Sequence, residues 1–588
     1  MSYFPSMVHQ TDLQDAGKFL QQGNYKRALK AAQLAAKKSP KSAVAPNIIG
    51  IATSAIGRPN EAIAHFQKAL KLQPDFPEAQ KNLAQTLILI GRADTAVALL
   101  AKLAATAPND WQAWFLKAQG ELALRRENDA LYSTEKAQTA APRNPAIYHL
   151  RSKILLSLGK IKDAIDALET VLQINPDDVL ALTQLSLPLA RQNRTQEALD
   201  VVQKAVALAP DDIPARYRLA TQYVEMGDTA EAIKHYTAIL AIQPDNPDAL
   251  EQLTLLRPAA EIGKMEPQIR SALNKAAKNT EERASLFFAL AKVLTAKDDT
   301  VQARKMLGLA NKEMAKLRPY DPVADAAVTR ATLDRFAQPE VHFDDAPQGP
   351  KPIFVLGLPR SGTTLVETVL GLHPNVAPLG ERGTAGFLLR DIIEHNLPFT
   401  ARDAAALVRE DQRLLPDLPE DTVAYIDKMP ENYRLVGFLK MTYPNARIAH
   451  VRRDPRDIAL SMWKSHFSGA VLSYSYDLDW MAEKFNLYAQ SMAHWRAVLP
   501  GQILDVRYED LVQDIATTGA RMAAFCDLTW HDAMAHPERS TTAVLTLSAT
   551  QVRRPVHTGS IGKWREDPGI LDDFVTRLDP ALWGDYLN

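Results

Sequence analysis

Through most of the first half of the chain, apolar residues recur every three to four positions, in segments such as AIAHFQKALKLQP. That spacing predicts amphipathic helices. The segments are themselves periodic. Pro40, Pro74, Pro108, Pro142, Pro176, Pro210 and Pro244 stand 34 residues apart without a slip. Twelve residues before each is an alanine, Ala28, Ala62, Ala96, Ala130, Ala164, Ala198 and Ala232. Twenty-four before each is a small residue, Ala16, Gly50, Ala84, Ala118, Ser152, Ser186 and Ala220. Glycine sits seventeen before five of the seven prolines. Each period therefore reads as helix, turn, helix. Glycine lets the chain turn, small residues let two helices cross closely, and proline closes the second helix. Beyond residue 350 the pattern changes to short apolar runs. Ile353 to Gly357, Val423 to Asp427, Ala446 to Val451 and the run ILDVR ending at Tyr508 are predicted strands, and Thr363 to Leu372 a helix.

The 34-residue unit resembles the tetratricopeptide repeat over residues 11–248. After Asp248 the register fades, and 249–320 is expected to hold degenerate or capping helices, which terminal repeats often are. Residues 321–350, proline-rich and acidic toward their end, read as a linker, and 351–588 as a second domain. The expected fold is thus an all-α solenoid followed by an α/β, P-loop-like domain with a mainly parallel sheet. Stacked repeats form a concave groove, which suits a protein or peptide partner; self-association is an equally good use of the array.

Composition narrows the function. Lys plus Arg is 68 and Asp plus Glu 69 among 588 residues, and neither half is strongly basic. Binding to nucleic acid or a membrane surface through gross charge is therefore not expected, and any anion site must be local. A single cysteine, Cys526, excludes an internal disulfide framework and a cysteine-based metal cluster. The amino terminus lacks a basic segment followed by an apolar core, and no stretch reaches the ~18 apolar residues of a membrane span. A soluble, cytoplasmic protein without a resident cofactor or metal is expected.

The local anion site is legible after the first predicted strand. KPIFVLGLPRSGTTLVETVLGLHP runs strand, glycine-containing turn, helix, which aims backbone N–H groups and a helix N-terminus at a phosphate. Arg360 adds a charge, and Ser361, Thr363 and Thr364 add hydroxyls around Gly362. No lysine follows Gly362, so the GxxxxGK[ST] loop of magnesium-dependent kinases and ATPases is absent. Arg453 and Ser461, eight apart at the start of a helix after another strand, suit a second phosphate.

These two motifs, with 93 residues between Arg360 and Arg453, resemble those of sulfotransferases that use 3′-phosphoadenosine 5′-phosphosulfate as co-substrate. The resemblance implies that Arg360, Ser361, Gly362, Thr363 and Thr364 bind the 5′ side, that Arg453 and Ser461 bind the 3′-phosphate, and that Tyr508 of Tyr-Glu-Asp contacts the adenine. VRRPVHTGSIGKWRE resembles the family's closing loop. It departs from the cytosolic branch in having His557-Thr558-Gly559 where Arg-Lys-Gly is usual, and Arg553 and Arg554 are candidates to replace that charge.

Sulfonate transfer needs a base for the acceptor proton, cations for the bridging oxygen and reactants held in line. HPNVAPLGE resembles the tyrosylprotein sulfotransferase branch, which makes Glu381 the general base; its competing roles are a solvated loop carboxylate or a partner of Arg382. Likewise IDKMP makes Lys428, with Arg360, a charge stabiliser, the competing role being a pair with Asp427. His450, on a predicted buried strand, and His373, at a helix end, are expected to be packed. So are Trp463, Phe467, Tyr474, Tyr476 and Trp480. The acceptor is a hydroxyl compound that the residues do not identify, with a protein or peptide tyrosine leading. The rival reading is a repeat scaffold carrying an inactive or nucleotide-sensing domain.

Overall fold

The computed structural model describes residues 8–337, 349–467, 469, 471–540, 542–545 and 553–587. The amino-terminal heptapeptide and residues 338–348 of the expected linker lie outside the described residues. The chain divides into two compact units, Met1–Ala181 and Leu182–Asn588.

In the first unit helices alternate from Val8–Gln21 to Ile161–Ile174. Ala28, Ala62, Ala96, Ala130 and Ala164 are fully buried, as the close crossing of two helices requires. At Gly50 the partner helix comes so near that an added Cβ would stand 2.5 Å from Phe66. The turns use the left-handed region, which glycine adopts freely. Gly23, Gly57, Gly91, Gly159 and Gly227 have φ between 69° and 89°. Where the repeat lacks glycine, Arg125 (φ 57°) and Asn193 (φ 59°) take the same conformation.

The second unit continues the array through Thr195–Leu208, Ile213–Met226, Thr229–Ile242 and Pro247–Leu256. It then adds the longer pair Glu281–Ala296 and Thr300–Leu317. The stretch expected to begin a linker is instead a helix, Pro322–Arg335, with Asp321 capping it and Pro322 at its first position. Its proline and acids are start signals rather than linker composition. This helix is anchored in the second half of the chain. Asp325 accepts from Tyr320 (2.7 Å), Lys484 (2.8 Å) and Arg434 (2.9 Å). Phe336 is buried edge-on against Phe438, at 4.8 Å between centroids, and against Trp495.

Five strands follow: β1 (Lys351–Gly357), β2 (Val376–Pro378), β3 (Ala424–Asp427), β4 (Arg447–Arg452) and β5 (Ile503–Arg507). All pairings are parallel, in the order β2-β3-β1-β4-β5. Both faces of β1 are buried, which explains its unbroken apolar run. The chain first builds toward β2 and β3, then crosses to β4 on the other side of β1. In an open parallel sheet such a reversal leaves a crevice beyond the carboxyl ends of the strands, where ligands bind. Among the described residues no helix is long and apolar enough to cross a membrane.

The array and the sheet share further contacts within the second unit. His466 bonds Glu251 at 3.0 Å and stacks on Phe288, and Arg318 donates to the Phe467 carbonyl at 2.8 Å. Truncation should follow this division. A chain starting at 182 is expected to unfold cooperatively, with the stability of that unit in the full chain. One starting at 340 forfeits Phe336 and Asp325. It should lose at least the ~3–5 kcal/mol of a deleted buried aromatic side chain. Thermal unfolding followed by circular dichroism would count against the division if both truncations were equally stable.

Candidate active site

The crevice is built from two loops. After β1 the chain approaches β4 so closely that a Cβ at Gly357 would stand 2.7 Å from the Val451 carbonyl oxygen. The turn then places Arg360 in the left-handed region (φ 70°) and Gly362 at φ 105°. The helix Thr363–Gly371 begins there, with its first amides directed back at the turn. Tyr508 packs on Gly362, where a Cβ would lie 2.5 Å from the ring.

After β4, Asp454 caps the helix Pro455–Trp463, and its own N–H donates to Glu509 at 2.9 Å. Arg453 joins the two loops. Its guanidinium donates to the Arg360 carbonyl (3.0 Å) and the Ser560 carbonyl (2.6 Å), and lies 4.3 Å from the centre of the Tyr508 ring. Arg360 Nε in turn donates to Ser461 Oγ at 2.9 Å. The structure thus brings Arg360, Ser361, Gly362, Arg453, Ser461 and Tyr508 together. Thr363 and Thr364 stand buried at the helix start beside them.

The electrostatics favour an anion. Burial, together with the charge of Arg453, pushes the Arg360 guanidinium down to about 10. Among the described residues, Ser361 Oγ and Arg453 Nε are buried without a hydrogen-bond partner. Buried donors left unbonded are costly, and two guanidinium groups repel, so the site is suited to a ligand carrying several negative charges.

The closing segment docks on the same helix. Asp457 accepts from the N–H groups of Gly562 (2.7 Å) and Trp564 (3.1 Å), and Arg456 lies 4.1 Å from the Trp564 ring centre. Arg553 goes elsewhere. It donates to the carbonyls of Ser540, Thr542 and Glu225, and so ties this segment to a repeat helix rather than to the crevice. Arg554 is exposed.

A second group lies beside the first. Lys428, just past β3, is buried, and its Nζ donates to Glu381 Oε1 at 2.7 Å, while the Glu381 side chain remains 42% exposed. The competing pairs are absent among the described residues. Arg382 binds Asp411 at 2.6 Å, and Asp427 accepts from Asn432 instead. Glu367, unremarked in the sequence, is buried on the helix that starts at the phosphate loop. It accepts the Gly380 N–H at 2.8 Å, and the Lys428 backbone N–H donates to the Gly380 carbonyl at 2.9 Å. Burial pushes the Glu367 carboxyl up, against the opposing pull of Lys428. A lone acid in the apolar helix TTLVETVLG was the signal that could have disclosed it. His450 is buried between Asp505 (2.6 Å) and Tyr488, and burial lowers it; it is a packed group.

Residues 352–532 match the model of the sulfotransferase family, and 55–120, 149–213 and 189–254 match tetratricopeptide repeat models. Over 362 residues the chain is 29% identical to an uncharacterized protein of Aquifex aeolicus (strain VF5), covering 56% of this chain and 47% of that one. The alignment thus spans about half of that relative's length. Over 246 residues it is 27% identical to a putative protein-tyrosine sulfotransferase of Caenorhabditis briggsae, covering 39% of this chain and 84% of that one. Among solved structures, a thermophilic TPR protein of Thermus thermophilus aligns with TM-score 0.28 at 26% identity, over 31% of this chain and all of that one. The chain carries a sulfotransferase-family domain behind tetratricopeptide repeats.

Gly362→Ala tests the geometry of the first loop. The Cβ meets Tyr508 in a backbone conformation that alanine resists. A stability loss of about 1–3 kcal/mol is expected in chemical denaturation, together with a changed Tyr508 environment in fluorescence or NMR. A neutral substitution would show that Tyr508 does not rest on this turn.

Proposed function

We propose that the protein transfers a sulfonate group from 3′-phosphoadenosine 5′-phosphosulfate to a hydroxyl acceptor, with a tyrosine of a protein or peptide as the leading acceptor. The observation that carries this reading is the convergence of Arg360 and Arg453 in one buried crevice, with Ser361 Oγ and Arg453 Nε still to be bonded. A nucleotide with anionic groups at both ends satisfies them. Arg360, Ser361, Gly362, Thr363 and Thr364 are assigned to its 5′ side, Arg453 and Ser461 to its 3′-phosphate, and Tyr508 to the adenine end.

In the reaction the new bond forms between the acceptor oxygen and sulfur while the bond from sulfur to the bridging phosphate oxygen breaks. Glu381 takes the acceptor proton. Lys428 and Arg360 stabilise the charge that develops on the departing phosphate oxygen. Lys428 suits this role because it is buried and held from two sides, through its backbone by Gly380 and through Nζ by Glu381.

The tyrosine preference rests on the protein-tyrosine sulfotransferase relatives and on the repeats. In the first unit, Ile51, Asn82, Gln85, Gln119 and Lys153 line one concave groove of mixed polarity, fit for an extended peptide or a partner protein. A single buried cysteine, Cys526, suits a reducing compartment, and we assign the protein to the cytoplasm.

Incubating the protein with radiolabelled donor and a cell extract identifies the acceptor; donor binding without any labelled product would favour a nucleotide sensor. Two substitutions test the assignment. Arg453→Ala should weaken binding of 3′-phosphoadenosine 5′-phosphate by ~2–5 kcal/mol in calorimetry, the loss expected when one partner of a buried charge-assisted contact is removed. Unchanged affinity would reject the 3′-phosphate site. Glu381→Gln should cut turnover by roughly 10² or more while sparing donor binding, as expected for a positioned base. Full activity would move the base elsewhere.

A further inference from the structure

The pocket around Glu381 and Lys428 is not closed by the sheet domain alone. Its remaining wall comes from Arg191 and Asn193 of the repeat array, and from the segment around Thr542 and Val544. Asn193 sits in one of the two repeat turns that lack glycine. Its Nδ2 donates to the Pro378 carbonyl at 3.3 Å, so this turn is docked on the last residue of β2, from which the loop to Glu381 leaves. On the other side, the Glu225 carbonyl at the end of a repeat helix accepts from the Val544 N–H (3.1 Å) and from Arg553 (3.0 Å).

Arg191 ends the helix Val179–Arg191 and lines the same pocket as Glu381. Its other acidic neighbour is Glu225. Both carboxylate oxygens of Glu225 are taken by Arg218, at 3.1 and 2.7 Å. Lys428 occupies Oε1 of Glu381 from the buried side, and Glu367 lies beneath with its carboxyl turned to Gly380. Among the described residues, the groups that bear on Glu381 include Lys428 after β3, Glu367 on the helix Thr363–Gly371 and Arg191 on the repeat array. Burial depresses the Arg191 guanidinium, and the attraction of Glu381 opposes that.

We propose that Arg191 is a positioning residue: from the repeat array it holds the half-exposed Glu381 carboxylate between two cations and limits its rotation. This rests on the reading of Glu381 as the base. An exposed carboxylate has several rotamers, and only one presents an oxygen to the acceptor hydroxyl. A second cation across the pocket from Lys428 narrows that choice before substrate arrives. The repeats thereby become part of the catalytic centre.

Steady-state kinetics test this with radiolabelled donor and two probes, N-acetyltyrosinamide and para-nitrophenol. In Arg191→Ala, kcat should fall about tenfold for N-acetyltyrosinamide, a part of the roughly 10²-fold or more that a positioned base contributes, and less for para-nitrophenol, a more acidic phenol that needs the base less. The KM for each probe and the affinity for 3′-phosphoadenosine 5′-phosphate should be unchanged. Arg191→Lys, which keeps the charge, should recover most of the loss. A rise in probe KM at constant kcat would overturn the proposal and make Arg191 an acceptor-binding group. A lysine variant no better than alanine, with the melting temperature intact, would overturn it too. An active wild type beside an indifferent alanine variant overturns this inference alone. A wild type that binds donor yet sulfonates neither probe nor extract overturns the functional reading with it.

Discussion

The Arg453 guanidinium holds the crevice together. It bonds the Arg360 carbonyl in the first loop and the Ser560 carbonyl in the closing segment, and it covers Tyr508 at the end of β5. Four stretches separated by tens to hundreds of residues meet at one side chain. This is possible because β1 and β4 are neighbours, so the loops that leave their carboxyl ends open into the same space. Sheet order and arginine depend on each other: a different strand sequence would send Arg360 and Arg453 into separate crevices.

Such a centre works against stability. Two guanidinium groups share a buried space, Arg360 occupies a left-handed backbone conformation, and Ser361 Oγ and Arg453 Nε lack bonds among the described residues. Each feature costs free energy in the absence of an anion. The rest of the domain holds them in place. Glu509 fixes the N–H of Asp454, and Asp457 fixes two N–H groups of the closing segment. Strain retained in this way is what the proposed ligand site requires, since an anion would relieve it.

What the sequence disclosed follows from how local each signal was. The repeats were legible because one register of prolines and alanines recurs seven times; that Arg125 and Asn193 take the glycine conformation in the two remaining turns is seen only in the structure. Both strand–turn–helix loops were legible because their parts lie within about a dozen residues of one another. The linker was bounded too early: its proline and acidic content lies toward the end of 321–350, and 322–335 form a helix that Asp321 caps. Arg553 misled because a basic residue near a closing loop says nothing about which carbonyls it will meet. Asp457 and Arg191 act through partners far away in the chain, which no spacing rule reaches, whereas Glu367, bonded to nearby Gly380, was signalled only as a lone acid in an apolar helix.

Arg191 and Phe336 together change what the repeats are for. A solenoid appended to an enzyme could be removed at a linker and leave the enzyme whole. Here the array's later helices insert Phe336 beside Trp495 in the core of the sheet domain and pin Asp325 to Lys484 and Arg434. Asn193 bonds the last residue of β2, just before the loop that carries Glu381. The division between compact units falls at 181, inside the regular repeats, rather than where repeat and sheet sequences meet. The later repeats are thus built into the folding unit that contains the crevice. One hydrogen bond to the end of β2 and one shared pocket wall join the turn at Asn193 to the surroundings of the candidate base.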